Sequence, residues 1–313
     1  MTLITCKNLS KIYKSGAVAL NKINVAIDMK GVFALIGRNG AGKTTLVRIL
    51  STSLLPTTGD AKIDDVDVVK GAKRIRERIA VVPQEAGPIP WMTPTENILA
   101  YLMWRGFSYK EAKNRALEVL KLLGISKFKD TLNTKISGGT KRKVLVGMAI
   151  VSGADIIFLD EPTTGLDPMS RAEMWDILSK LKTEHLIFLT THYLEEAEAL
   201  ADKIGILEAG KLLAINDLAG LRRKMGYPYS IKILDDSTGL KVKTGRITKG
   251  HDGHTQILTT EREARKLCLD LIQRRVKFST NPVSLEDIFY YFVKKSLDNN
   301  ESDEGSDHEK QNL

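Results

Sequence analysis

Residues 37–44, with the sequence GRNGAGKT, constrain the fold more than any other part of the chain. They follow the apolar run 32–36 and precede a helical pattern in which Leu46, Ile49 and Leu50 are the apolar positions. This strand–loop–helix context is the one that a phosphate-binding loop requires. The alternative is a glycine-rich turn with a chance lysine, and the flanking elements favour the phosphate loop. By itself the motif indicates only that the chain binds a nucleotide.

The composition of the loop predicts how it would hold the phosphates. The glycines let successive backbone N–H groups turn inward onto phosphate oxygens, and the following helix adds the positive end of its dipole. Lys43 should reach the β- and γ-phosphates, and the Thr44 hydroxyl should bind Mg²⁺. The predicted nucleotide contacts of this segment are Gly37, Arg38, Asn39, Gly40, Ala41, Gly42, Lys43, Thr44 and Thr45.

The hydrophobic pattern predicts an α/β fold with a mostly parallel sheet. Short apolar runs alternate with periodic segments of helical length, as in sheets whose strands are connected by helices. The strands predicted first are 32–36, 79–82, 156–159 and 186–190. Phosphate loop and sheet together indicate the core of a P-loop nucleoside triphosphatase.

Two changes of pattern predict the domain organisation. Within 85–153 the strand signal disappears, and capping boxes begin helices at Thr93 and Ser108. We therefore expect an all-helical insertion within an α/β domain that covers 1–220. The alternation of Tyr229, Ile231 and Ile233 and two later helical segments predict a small α+β domain over 221–295. The acidic segment 296–313 has almost no apolar residue and predicts a disordered tail.

Polar side chains follow three of the predicted strands. Asp160 and Glu161 end the strand at 156–159, Gln84 comes just after 79–82, and His192 follows 186–190. Ligands of open α/β sheets bind at the carboxyl ends of the strands, so these side chains should converge there. Asp160 is the predicted Mg²⁺ residue, together with Thr44, and Glu161 could orient the water that attacks a γ-phosphate. A solvated acidic pair after a core strand is the alternative for Asp160 and Glu161.

A second anion site is suggested by Ser137, Gly138 and Gly139. They precede a helix whose apolar positions fall on one face, so Ser137 is a predicted N-cap and the helix start exposes free backbone N–H groups. On local grounds alone, an ordinary capped helix after a flexible turn is the simpler interpretation.

Taken together, six segments resemble the ATP-binding cassette proteins in residue type, order and spacing, over roughly residues 1–215. They are 37–44, Gln84, 137–139, 159–162 (LDEP), 165–168 (GLDP) and Thr191 with His192. The signature of the family usually ends in Gln and begins with Leu, whereas this chain has Thr140 and Ile136. The Ser-Gly-Gly part is intact, and Glu161 is present, so the resemblance implies an active ATPase.

The resemblance also implies a head-to-tail dimer with two ATP molecules between the protomers. In such a dimer, residues Ser137, Gly138 and Gly139 of one copy contact the γ-phosphate that the phosphate loop of the other copy holds, and Asp167 lines the interface. Tyr13 would stack on adenine, although an aromatic residue near a first strand is often core filler. By the same similarity, Gln84 senses Mg²⁺ and the attacking water, Glu161 is the catalytic base, and His192 binds the γ-phosphate.

The resemblance favours a transporter motor whose membrane-spanning permease is a separate polypeptide. Trp91, Met92, Tyr101 and Trp104 concentrate aromatic and sulfur-containing side chains in the helical insertion, where they form either a groove for a partner helix or the core of the insertion. Residues 282–289 resemble the C-terminal segment of motor subunits of drug, lipid and polysaccharide exporters. An importer motor, or a soluble cassette ATPase that acts on ribosomes or nucleic acid, is the alternative.

Composition narrows these alternatives. No apolar run reaches the ~20 residues of a membrane-crossing helix, and the first residues do not form a signal peptide, so we expect a cytoplasmic protein that is peripheral on the inner face of the cell membrane. The net charge of +9 comes from scattered Lys and Arg residues, which suit an anionic membrane surface, and no nucleic-acid partner is expected. Cys6 and Cys268 lack disulfide or metal-site spacing.

Overall fold

The computed structural model describes residues 2–234, 246–249 and 253–308. The chain divides into two compact units, Met1–Leu212 and Leu213–Leu313. Among the described residues, no helix has the length and apolarity needed to cross a membrane.

A mostly parallel six-stranded sheet carries the candidate functional residues. Its strands are β3 (Gly31–Ile36), β6 (Ile79–Val82), β7 (Ile156–Asp160), β8 (Leu186–Thr191), β9 (Lys203–Glu208) and β10 (Lys211–Asn216), in the order β10-β9-β3-β8-β7-β6. The pairings β3–β8, β3–β9, β6–β7 and β7–β8 are all parallel. Strands β3, β7 and β8 are buried along their whole length, which explains their nearly continuous apolar runs. The α/β prediction and its four strands are confirmed.

A second, antiparallel sheet is formed by strands that lie before and after the phosphate loop in the sequence. The hydrophobic pattern did not predict this sheet. It contains β1 (Thr2–Ile12), β2 (Val18–Met29), β4 (Thr58–Ile63) and β5 (Val66–Asp67), in the order β2-β1-β4-β5. The register between β1 and β2 shifts three times between Cys6 and Ile12, and Asn8 and Lys22 adopt positive φ angles. These irregularities interrupt the period-2 alternation by which a half-buried strand is recognised.

Seven α-helices in the first unit are α1 (Lys43–Leu50), α2 (Ala72–Arg78), α3 (Pro94–Trp104), α4 (Tyr109–Leu122), α5 (Gly138–Ile150), α6 (Pro168–Leu181) and α7 (Leu194–Leu200). The insertion is helical as predicted, with α3, α4, α5 and two short 3₁₀ helices. The Thr93 capping box is complete. At Ser108 only the serine half forms, because the Glu111 carboxylate binds Arg115 one turn later.

The second unit contains α8 (Leu218–Met225), β11 (Tyr229–Ile233), β12 (Arg246–Lys249), β13 (Thr255–Thr259), α9 (Glu261–Gln273), β14 (Phe278–Pro282) and α10 (Leu285–His308). The four strands form an antiparallel sheet in the order β12-β13-β11-β14, and α9 packs on β11 around Ile231, Ile257 and Leu271. This confirms an α+β C-terminal unit.

The structure differs from the predicted disordered tail at 296–313. The backbone of α10 continues to His308, whereas residues 309–313 lie outside the described residues. A helix that is already nucleated by apolar residues such as Ile288 and Phe289 adds further residues without a new nucleation cost, and this permits an acidic sequence to remain helical.

Candidate functional site

The phosphate loop connects the carboxyl end of β3 to α1. Gly40 and Gly42 have φ angles of 82° and 108°, a region that side chains with a Cβ rarely occupy. A Cβ at Gly37 or Gly42 would lie 2.3 Å from a backbone oxygen, so the chain approaches its neighbours too closely for another residue there. Gly42 is also the N-cap of α1 and provides no side-chain cap. The N–H groups at this helix start therefore have no side chain of the cap residue to satisfy them, as an anion-binding loop requires.

Lys43 is buried and lies over its own loop. Its Nζ donates to the carbonyl oxygens of Gly37 (2.9 Å) and Arg38 (3.2 Å) and is 3.3 Å from Oε1 of Glu161. The ammonium group is therefore satisfied by acceptors that surround the position predicted for the phosphates. An incoming phosphate could replace the carboxylate contact by a stronger charge interaction.

Thr44, Asp160 and Thr190 form the next layer of the site. The Thr44 hydroxyl donates to Oδ1 of Asp160 at 3.2 Å, and the Thr190 hydroxyl donates to the same oxygen. Asp160 is buried at the end of β7. Within the described ranges no group of three or more His, Cys, Asp or Glu side chains could hold a metal ion by itself. One carboxylate and one hydroxyl nevertheless fit Mg²⁺, which commonly binds one or two carboxylates together with substrate phosphates and water.

Glu161 is held in an unusual backbone conformation. Its φ angle is 49°, in the left-handed region that costs free energy for a residue with a side chain. Its N–H donates to the carbonyl oxygen and to the hydroxyl of Thr190, both at 3.1 Å. These contacts with β8 hold the backbone where β7 ends and determine the direction of the Glu161 side chain.

The Glu161 carboxylate is the point at which the predicted segments meet. Its Oε2 accepts from Nε2 of Gln84 (3.2 Å), the hydroxyl of Thr164 (3.1 Å) and Nδ1 of His192 (3.0 Å). A carboxylate only accepts, so Nδ1 of His192 must carry a proton in this arrangement. With Lys43 at the other oxygen, four side chains surround one carboxylate, and the predicted convergence at the strand ends is observed.

Ser137, Gly138 and Gly139 form the start of α5. The Ser137 hydroxyl accepts from the backbone N–H of Thr140 (3.2 Å) and is 2.9 Å from its hydroxyl. A Cβ at Gly139 would lie 2.9 Å from the hydroxyl of Ser170 in α6. Asp167 caps α6 by accepting from the N–H and hydroxyl of Ser170, and these bonds lower its pKa. The described contacts thus join this helix start to α6 rather than to the phosphate loop of the same chain.

Tyr13 lies directly after β1 and beside the phosphate loop. Its hydroxyl is hydrogen-bonded to the hydroxyl of Thr45 at 3.1 Å, and the Nζ of Lys11 is 5.6 Å from the ring centroid. The residue is 36% exposed, which argues against the core-filler alternative. An exposed aromatic ring next to the loop is compatible with stacking on a base.

Sequence reasoning missed two buried charged residues next to the site. Arg142 in α5 binds five backbone carbonyl oxygens around the ends of β6 and β7. Glu196 in α7 is fully buried, and burial raises the pKa of its carboxyl group. Oε1 of Glu196 accepts from the Thr163 hydroxyl (2.8 Å) and the Trp175 indole N–H (3.2 Å). The sequence signal that could have identified these two residues is a charged side chain at a position on the apolar face of a helix.

Comparisons with known proteins agree with this geometry. Residues 20–164 match the ABC transporter family. The daunorubicin/doxorubicin resistance ATP-binding protein DrrA of Streptomyces peucetius is 31% identical over 322 residues, which cover 98% of this chain and 97% of that protein. The phospholipid-transporting ATPase ABCA3 of Rattus norvegicus is 31% identical over 236 residues, 74% of this chain and 14% of that relative, so this chain spans a small part of ABCA3.

A solved structure matches about two thirds of the chain in fold. The dimeric, post-hydrolysis ATP-binding cassette MJ0796, bound to ADP and Pi, has a TM-score of 0.63 and 28% sequence identity, and covers 69% of this chain and 98% of its own. The chain is therefore similar to DrrA in sequence along nearly its whole length, and similar to MJ0796 in fold over 69% of its length. Both similarities agree with the observed arrangement of the phosphate loop, Asp160 and Glu161. The chain belongs to the ABC transporter family, as an ATP-binding and ATP-hydrolysing nucleotide-binding subunit.

Proposed function

We propose that the chain is the motor of an ABC exporter and that two copies close on ATP, with Glu161 as the base for its hydrolysis. The observation that carries this proposal is the convergence of Lys43, Gln84 and His192 on one buried carboxylate at the end of β7. These side chains come from separate segments, and their common position is where a γ-phosphate and its attacking water would lie.

In the proposed cycle, Lys43 transfers from Glu161 to the phosphates when ATP binds, and this frees the Glu161 carboxylate to accept a proton from water. Gln84 and the protonated Nδ1 of His192 already point at that carboxylate and keep it oriented. Nε2 of His192 is the atom that would face the γ-phosphate, and it can donate to a phosphate oxygen only when it carries a proton as well. Positioning and electrostatic stabilisation supply most of the acceleration in such reactions.

Mg²⁺ fits beside the phosphates as the partner of Thr44 and Asp160, with Gln84 as the residue that senses it. When bound, the ion would be held by Thr44 and Asp160 and would neutralise negative charge that develops on the phosphates. The hydrogen bond between Thr44 and Asp160 keeps the two oxygen ligands adjacent without the ion, and the Thr190 hydroxyl orients Asp160 from behind.

The dimer explains the second anion site. Ser137, Gly138 and Gly139 present the start of α5, where the Ser137 hydroxyl accepts from the N–H of Thr140 and a Cβ added at Gly138 would meet no atom within 4 Å. We propose that they bind the γ-phosphate held by a second copy, with the Asp167 turn at the interface. MJ0796, the similar cassette, is dimeric in its solved structure, and this supports the proposal.

A separate membrane-spanning permease is the proposed partner of the helical insertion. Trp91 and Trp104 are 75% and 81% exposed, so they do not form the core of the insertion, and Met92 and Tyr101 are partly buried beside them in sequence. Large exposed aromatic side chains of this kind are typical anchors of a protein interface. The proposed location is therefore cytoplasmic, at the inner face of the cell membrane.

Export is favoured over import and over a soluble role. DrrA, named as a drug resistance ATP-binding protein, aligns along nearly the whole chain, including the C-terminal unit, and ABCA3 is named as phospholipid-transporting. We propose an amphipathic organic cargo on this basis. The ATPase domain would extend to about residue 220, because β10 (Lys211–Asn216) still belongs to the central sheet, and 221–295 would form the accessory domain.

The test is affinity purification of the tagged full chain from native membranes in mild detergent, followed by identification of co-purifying proteins. A stoichiometric multi-spanning protein is the expected result, and its relatives would indicate the direction of transport. A substrate-binding protein in the same complex would favour import. Recovery only with ribosomes or nucleic acid, without a membrane protein, would overturn the transport proposal.

A further inference from the structure

Arg142 is a buried cation whose contacts lie next to the proposed hydrolysis site. Its side chain is on α5, three residues after the Ser-Gly-Gly segment ends at Gly139, and the residue is 7% exposed. Nε donates to the carbonyl oxygen of Pro162 (2.9 Å), Nη1 to Pro83 (2.9 Å) and Gln84 (3.3 Å), and Nη2 to Asp160 (3.0 Å) and Glu161 (3.2 Å). Five N–H donors therefore meet five backbone acceptors, which is the full capacity of a guanidinium group.

These acceptors belong to two neighbouring strand ends. Strands β6 and β7 pair in parallel, with Val82 opposite Leu159, so their carboxyl ends lie side by side. Gln84 and Glu161 follow directly after these ends. One guanidinium thus joins the two proposed hydrolysis residues to each other, and both to the helix that begins at Ser137.

The chemistry of the contact requires arginine. Burial lowers the pKa of Arg142, while the charges of Asp160 and Glu196 oppose that shift, and an arginine stays protonated at neutral pH. A lysine ammonium has three donors at a single point and cannot reach five carbonyl oxygens spread over two strand ends. The contacts are with backbone oxygens, so they determine the position of the main chain that carries Gln84 and Glu161.

We propose that Arg142 is a positioning residue that links the Ser137–Gly139 helix start to Gln84 and Glu161. When this helix start contacts the nucleotide held by a second copy, Arg142 holds Gln84 and Glu161 in the positions that hydrolysis requires. This inference rests on the proposed roles of Gln84, Glu161 and the Ser-Gly-Gly segment. None of the described hydrogen bonds of Arg142 is with the phosphate loop. Loss of Arg142 should therefore lower the rate of ATP hydrolysis without changing the affinity for ATP.

Arg105 offers a matched control at the opposite end of the same strand. It is partly buried, and its guanidinium donates to the carbonyl oxygens of Arg76 (3.1 Å), Glu77 (2.8 Å) and Ile79 (2.9 Å), where β6 begins. The same type of arginine-to-backbone contact is therefore present at both ends of β6, but only Arg142 lies at the end with the proposed hydrolysis residues.

The experiment compares Arg142→Met, Arg142→Lys, Arg105→Met and Glu161→Gln in the full chain. We would measure kcat for ATP hydrolysis, the Kd for a fluorescent ATP analogue, the urea midpoint, and hydrogen exchange in segments 81–87 and 158–165. Arg142→Met should lower kcat by about ten- to hundredfold, the range that small misplacements of catalytic groups produce, with Kd within about threefold of wild type. Exchange should rise in both segments, and Arg142→Lys should be intermediate.

The controls separate positioning from general stability. Arg105→Met should lower the urea midpoint with kcat near wild type. Wild-type kcat in Arg142→Met, or an equal loss of kcat in Arg105→Met at equal stability, would overturn the inference. If Arg142→Met does not fold, wild-type kcat and exchange in Arg142→Lys would overturn it instead. Wild-type turnover in Glu161→Gln would refute the proposed site itself, whereas a dead Glu161→Gln with an active Arg142→Met would refute only the role of Arg142.

Discussion

The Glu161→Gln variant tests two proposed roles of Glu161, which are to hold Lys43 before ATP binds and to activate the attacking water. The substitution replaces a buried carboxylate by a neutral amide of nearly the same shape. The amide oxygen can take the place of Oε2 and keep the donors Gln84, Thr164 and His192. The amide NH₂ then faces the ammonium of Lys43, and two donors cannot bond with each other.

The expected magnitude follows from the lost contact. The Nζ of Lys43 is 3.3 Å from Oε1, and both side chains are almost completely buried. A hydrogen bond to a charged group contributes about 1.5–3 kcal/mol, and this free energy no longer opposes the transfer of Lys43 to a phosphate. ATP should therefore bind about ten- to hundredfold more tightly in the variant. Hydrolysis should slow by about 10²- to 10⁴-fold, the usual contribution of a general base.

The assay combines titration with a fluorescent ATP analogue, phosphate release, and light scattering in excess ATP. Tighter binding, very slow hydrolysis and an accumulated ATP-bound dimer are expected together. Glu195→Gln is the matched control, because this exposed carboxylate in the first turn of α7 should leave all three readouts unchanged. Wild-type hydrolysis would exclude Glu161 as the base, weaker binding would refute its competition for Lys43, and a monomer in excess ATP would refute the dimer.

Three further predictions address the rest of the site. Lys43→Ala should weaken ATP binding at least about tenfold through loss of charge-assisted phosphate contacts, and unchanged affinity in the same titration would refute its phosphate role. Glu196→Gln tests linkage: because burial raises the pKa of Glu196, the folded chain holds its proton more tightly, and unfolding free energy is lost as pH rises above about 4.3 through the folded pKa. Urea unfolding should therefore show the variant gaining stability relative to wild type as the pH rises above about 4.3, and a pH-independent difference would contradict a raised pKa of this buried carboxyl group. Trp91→Ala with Trp104→Ala should reduce co-purification of the membrane protein at unchanged ATPase activity, and full retention would remove these side chains from the proposed interface.

Local interactions made much of the fold predictable. The strands at β3, β6, β7 and β8 are buried, and buried parallel strands need continuous apolar runs, which are visible in the sequence. The starts of α3, α4 and α5 are predictable because Thr93, Ser108 and Ser137 each bond a backbone N–H three residues later. The first antiparallel sheet was not predictable, because bulges and positive φ angles within β1 and β2 break its alternation.

The phosphate loop, the strand ends that carry polar residues, and the similarity to a family can all be predicted from the residues alone. These features depend on contiguous residues, whose conformational preferences and spacing can be interpreted without the fold. Folding is needed to bring Gln84 within hydrogen-bond distance of Glu161, 77 residues away, and Thr44 within hydrogen-bond distance of Asp160, 116 residues away. Folding also brings Arg142 to five backbone oxygens. Contacts with backbone carbonyls leave no mark on the residue types that supply them, because every residue has a carbonyl group.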